Sequence, residues 1–182
     1  MAENFAEMFV DIDADPRAEP PERGDERATL SGFLRWHRQT LELKCSGLDA
    51  EALARRALDP SGLSLLGLVR HMADVERGWF RHRLAGQDAP ARFRLPDDPD
   101  GDFDHATADP AVVAEAWAAW REEAAFTDRC IAELPDLDVT IEHPNHGRLS
   151  ARWVLVHIVE EYARHNGHAD ILRERIDGRV GQ

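Results

Sequence analysis

The stretch SARWVLVHIVEEYARHNGHADILRERIDG, residues 150–178, decides the fold class. Ser150 is a helix N-cap residue and Gly178 a common helix stop, so the pattern predicts one long helix over 151–177. Val154, Ile158 and Leu172 recur at helical spacing and mark its core face. Glu161 and His165 are four residues apart and lie on that same face. A carboxylate in an apolar stripe is costly unless something pairs with it. Two readings follow. In one, the pair belongs to a divalent metal site, with His71 from a second apolar helical stripe as a third ligand. In the other, Glu161 and His165 are an ordinary helical pair near a solvated edge.

Working outward, three more long helices are expected. The first runs over about 25–46 behind Asp25 as N-cap, with Leu30, Phe33, Leu34, His37, Leu41 and Cys45 as its buried stripe. His37 reads either as a satisfied core histidine or as a ligand. A short helix follows at 49–57. Ser61 or Ser64 caps the second long helix, 62–86, whose stripe is Leu65, Leu68, Met72, Val75 and Trp79, with His71 beside it. Asp109-Pro110 starts the third, 110–134, which carries Val113, Trp117, Trp120, Ala124, Phe126 and Ile131, and Pro135 stops it.

The connections are polar. Residues 87–109 hold Pro90, Pro96 and Pro99 and read as a long crossover loop. Residues 136–149 read as a loop or a short hairpin, with Val139 and Ile141 alternating. Residues 1–24, rich in charge and proline, read as an extended N-terminal arm, on which Phe5, Met8 and Phe9 offer apolar docking points. Four long helices with one long crossover define an all-α four-helix bundle, with residues 25–182 as one domain.

Composition excludes several classes. The net charge is −13 and no Lys/Arg cluster occurs, so nucleic acid is not an expected partner. No run of about 18 apolar residues exists, so no membrane span is expected. Residues 1–10 carry acidic and no basic side chains, the wrong charge for a secretory signal. Cys45 and Cys130 form no CxxC pair and read as reduced thiols of a cytoplasmic protein. Lys44 is the only lysine among 22 basic residues, and alanine is abundant, a usage typical of GC-rich bacterial genomes.

The bundle core is a common place for metal sites built from facing helices. The di-iron pattern of paired Glu-x-x-His motifs is absent here. His71, Glu161 and His165 would instead make a mononuclear set, suited to zinc, nickel or iron(II) and leaving coordination positions open. Such an ion lowers the pKa of a bound water or thiol and polarises a carbonyl. No cysteine lies near the set in sequence, so a thiol would have to come from a small molecule.

The segments Leu68–Phe80 and Trp153–Glu174 resemble the DinB superfamily of metal-binding four-helix bundles. They are closest to its actinobacterial branch of mycothiol-dependent enzymes and transferases. The resemblance spans about Asp25 to Gly178, and H-x(2)-E-E-Y-A-R-H-N-G-H-A-D, from His157 to Asp170, is its most specific part. Many superfamily members carry three histidines; here the earlier of the two positions on the last helix is Glu161, as in mycothiol-dependent maleylpyruvate isomerases. The resemblance therefore implies a divalent metal, zinc or nickel first, on His71, Glu161 and His165. It also implies a low-molecular-weight thiol, mycothiol, that is transferred to a small electrophile or isomerises one, and a monomer or homodimer. A non-catalytic metal-containing bundle and a metal-assisted hydrolase are the competing readings.

His157 and His168 flank the set and read as residues that orient a ligand or move a proton. Glu160 reads as a support or surface residue. Trp79, Arg70, Arg164 and Arg173 are candidates for the pocket mouth, where an arginine could hold a carboxylate. As ordinary surface charges in an Arg-rich chain, Arg70 and Arg164 need no such role. His82, His105, His143 and His146 fall in expected turns or loops and read as solvated.

Overall fold

Five helices begin where a side chain accepts a backbone N–H of the first turn. Asp25 accepts from Ala28, Asp49 from Ala52, Ser64 from Gly67, Asp109 from Ala111 and Ser150 from Trp153. The computed structural model describes residue 10 and residues 15–181. The expected docking of Phe5, Met8 and Phe9 lies outside these. The helices are α1 (Glu26–Cys45), α2 (Ala50–Ala54), α3 (Leu65–Glu76), α4 (Gly101–Asp104), α5 (Pro110–Glu133) and α6 (Ala151–Asp177). The chain is mostly helical. Its one small sheet, among the described residues, is the antiparallel hairpin of β1 (Thr140–His143) and β2 (Gly147–Ser150), with Thr140 opposite Ser150 and His143 opposite Gly147.

α1 packs along α6 and α3 along α5, and α3 also touches α6. α3 is buried on all sides: Leu65, Leu66, Leu68, Val69, Met72 and Ala73 have no exposed surface. Its expected stripe is therefore only part of its apolar surface. Phe33, expected in the α1 stripe, is 44% exposed, whereas Arg38, Thr40 and Lys44 of that helix are buried. Those polar residues sit inside because partners meet them there, as Arg38 meets Glu76 and Lys44 meets Asp170. No helix among the described residues is long and apolar enough to cross a membrane.

The second long helix differs from its expected form. After Glu76 the chain continues as a π-helix, Arg77–Leu84, with the Ala85 N–H reaching back five residues to the Phe80 carbonyl at 2.8 Å. Arg77 and Arg81 anchor this widened segment to Glu123 of α5, each at 2.8 Å.

The crossover is more ordered than a plain loop. Asp74 of α3 accepts the backbone N–H groups of Arg92, Phe93 and Arg94 at 2.7–2.9 Å. Buried Arg70 donates to the carbonyls of Gly101 and Asp102 and stacks on Phe93. α4 then lies directly against α3 at Gly67, where a Cβ would stand 2.4 Å from the Phe103 ring. Only glycine permits that approach. At the opposite ends of the helices, arginines satisfy orphan carbonyls: Arg27 those of Ile131 and Leu134, Arg173 those of Lys44 and Ser46. The described part of the arm runs against α1, with Arg17 over the Trp36 ring and Pro21 against Gly32.

Candidate metal centre

His71 comes from the middle of α3, and Glu161 and His165 from successive turns of α6. The contact of α3 with α6 brings them together. One ligand atom of each lies within 4.8 Å of the other two. Glu161 Oε2 is 3.5 Å from His165 Nε2, and the rings of His71 and His165 are 4.6 Å apart. An ion with tetrahedral ligand bonds of about 2.0–2.2 Å holds its donors roughly 3.4 Å apart. The observed separations need only small side-chain rotations to meet it, so the donor set fits a divalent ion.

The protonation states suit ligation too. His71 Nδ1 is 2.8 Å from the Asp102 carboxylate, which is 1% exposed. With the proton on Nδ1, donated to Asp102, the Nε2 lone pair is left free for an ion. Asp102 lies in α4, and Arg70 and Gly67 place it there. Burial, then the neighbouring His71 and His168, push the His165 pKa down to about 4, so its imidazole is neutral near pH 7. His168 Nδ1 lies 3.3 Å from His165 Nδ1. Among the described residues, the ion-pair partners of Glu161 are His165 and His157, the latter 3.7 Å from its other oxygen.

The arrangement therefore offers three convergent Lewis bases, with no arginine or lysine among the described ion-pair partners of Glu161. Neither cysteine supplies a thiolate: burial raises the Cys45 thiol to about 12, and burial also raises that of Cys130. A family model described as Mycothiol-S-transferase matches residues 29–178. The chain belongs to the mycothiol S-transferase family. Comparison with curated proteins and with solved structures gives no match. Membership supports mycothiol-related S-transfer, with mycothiol as the small thiol.

The other expected site residues of this mycothiol S-transferase family chain divide sharply. His157 sits between the cluster and a group of aromatic rings, stacked on Trp153 at 5.0 Å and edge-on to Trp79 at 5.0 Å. Trp79 is half-buried in that group. Arg173 was expected at the pocket mouth, but it is 2% exposed and its guanidinium is taken by Asp177 and by the carbonyls that end α1. Arg70 is neither a surface charge nor a pocket-mouth residue; it is buried against the crossover. Arg164 and Glu160 are exposed and 3.4 Å apart. His37 is half-buried beside Asn166. His82 and His105 are exposed, as expected, although His82 lies in the π-helix. His143 is half-buried and stacks on Trp79 at 5.4 Å. Asp102 escaped the sequence reading because it is one aspartate among several in an aspartate-rich crossover. Its one distinguishing mark, the Phe103 that docks on Gly67, is visible only in three dimensions.

Proposed function

We propose that the chain uses a divalent metal, zinc or nickel, held by His71, Glu161 and His165 to transfer the sulfur of mycothiol to a small electrophile. The convergence of these three donors from two helices is the observation that carries the reading, in a chain whose family transfers this thiol. The four long helices are read as a DinB-type four-helix bundle, with residues 25–182 as its single domain and the arm outside it.

When bound, the ion supplies a Lewis acid that holds the thiol as thiolate near neutral pH. Asp102 keeps the His71 ring turned so that Nε2 faces the cluster. His165, neutral through burial, keeps its Nε2 lone pair available. His157, with Nε2 3.7 Å from Glu161 and its ring against Trp153 and Trp79, would take the thiol proton. In the transfer, the sulfur–carbon bond forms as the electrophile's leaving group departs with its electron pair; with an electrophilic double bond, the carbon takes the proton instead. Positioning of thiol and electrophile together accounts for the rate gain.

The test is metal analysis followed by conjugate formation with mycothiol across a panel of electrophiles. Conjugate should form only with metal and thiol both present, and Glu161→Gln should lower metal content and turnover. Equal turnover without thiol would make the chain a hydrolase. No consumption by metal-loaded protein across the panel would make it a binding bundle.

A further inference from the structure

Five rings from three parts of the fold meet beside the candidate centre. Trp79 comes from the π-helix, His143 and His146 from the hairpin, and Trp153 and His157 from the start of α6. They form two stacks. Trp79 lies on His143 at 16° between planes, and Trp153 on His157 at 18°, with the two tryptophans 5.6 Å apart and inclined at 54°. His146 closes the outer end, 4.7 Å from His143 and 6.2 Å from Trp153.

This group is poorly explained as core. Trp153 is 39% exposed and His146 is exposed, and polar imidazoles occupy places that Val or Leu would fill in a packed interior. Partial burial, then Arg83 and His146, hold the His143 pKa below the usual imidazole range, which favours the neutral ring that stacks on Trp79. The group is also continuous with the ligand cluster. Glu161 turns one oxygen to His165 and the other to His157, and His157 touches both tryptophans. A flat molecule lying on these rings would hold its reactive carbon beside the ligand cluster.

We propose that Trp79, Trp153 and His157 form the electrophile subsite, and that its ligand is a flat, aromatic electrophile bound by stacking. Its catalytic use rests on the S-transfer reading; binding itself does not. Arene stacking is favoured by offset or tilted ring pairs, which this inclined wall presents to an incoming ring. Exposed tryptophan at 39% is the accessible edge of the wall.

The experiment has a binding arm and a kinetic arm. In the first, 15N-labelled protein is titrated with 2,4-dinitroaniline, a flat and unreactive probe, without added thiol. The chain has five tryptophans, so five indole N–H signals report separately. Saturable shifts in the signals of Trp79 and Trp153, with those of Trp36, Trp117 and Trp120 unmoved, are expected. Trp153→Leu, which keeps apolar volume but removes the ring, should weaken that binding by roughly three- to tenfold. In the second arm, mycothiol conjugation of 1-chloro-2,4-dinitrobenzene is compared with that of iodoacetamide. Trp153→Leu should raise KM several-fold for the aromatic electrophile alone, with KM for mycothiol unchanged. Absent or non-saturable shifts at Trp79 and Trp153, or equal KM changes for both electrophiles, would overturn the subsite. So would a dimer that Trp153→Leu converts to monomer, since the wall would then be a subunit contact. Probe binding at the wall with no conjugation would retain the subsite and defeat only the S-transfer reading.

Discussion

Two clusters of polar side chains lie between the helices, and they are built on opposite principles. Around Glu76 every charge is answered. Its carboxylate, with no exposed surface, accepts from Arg38 Nε at 2.9 Å and Nη2 at 2.6 Å and from the Tyr162 hydroxyl, which itself accepts from the Trp120 indole at 2.7 Å. The second arm of Arg38 reaches Asp128 at 2.7 Å. Burial works against the Arg38 charge, but Glu76 lifts its pKa above the usual range. Around Glu161, one residue along α6 from Tyr162, the ion-pair partners among the described residues are histidines alone, and two of the three donors come from the same helix. A buried carboxylate matched by a guanidinium and hydrogen bonds is a finished structural unit. Convergent lone pairs without a cation leave room for one from outside. The neighbours Glu161 and Tyr162 thus face different tasks, about 100° apart on the helix.

The comparison predicts that each cluster can be broken without the other, and the largest effect should be on metal. His71→Ala with His165→Ala should abolish the stoichiometric zinc or nickel expected of the native chain, and with it the expected rise in melting temperature on adding metal. Retention of one ion per chain, by elemental analysis after dialysis, would mean that the ion sits elsewhere. Next in size, Arg38→Ala should destabilise the chain by about 3–5 kcal/mol, because Glu76 is left buried and unpaired. Urea unfolding measures this, and the surviving folded protein at low temperature should still bind one ion. Loss of both properties together would join the two clusters into one.

Asp102→Asn should weaken metal affinity by about 10- to 100-fold through loss of the carboxylate behind His71. A competition titration with a chromophoric chelator reads it, and an unchanged affinity would leave Asp102 as a loop anchor only. The smallest effect is in acid. His165 titrates near 6.5 unfolded and at about 4 folded, so between those values the unfolded chain binds a proton that the folded chain does not. The contribution of His165 to the stability of the metal-free protein should therefore be lost as the pH drops from about 6.5 to 4, with no further change from this group below. His37, also lowered by burial, adds in the same direction. Unfolding midpoints in chelator at several pH values should show a shallower slope for His165→Gln; equal slopes would place the effect elsewhere.

Much of this was legible along the chain because it is local. Capping needs only Asp25, Ser64, Asp109 or Ser150 and the next three residues, so the starts of the long helices stand close to their expected positions. The i, i+4 spacing of Glu161 and His165 is fixed by the helix itself. The π-helix was not legible, since Arg77–Leu84 offers the same residue types an α-helix would take and its anchor, Glu123, is more than forty residues away. Arg173 misled for the same reason: a lone arginine near a motif gives no sign that its partners are the carbonyls ending α1.

By itself, then, the sequence determined where the long helices begin, which two candidate ligands share a face of α6, and the family whose pattern they fit. The tertiary structure alone decided that His71 reaches them, that Asp102 stands behind it across the close approach at Gly67, and that Trp79 and Trp153 lean together against His157. The division follows from range. Hydrogen bonds and side-chain periodicity within a helix are set by neighbours a few residues apart, whereas convergence of α3, α4, α6 and the hairpin depends on packing between distant segments, which no single segment encodes.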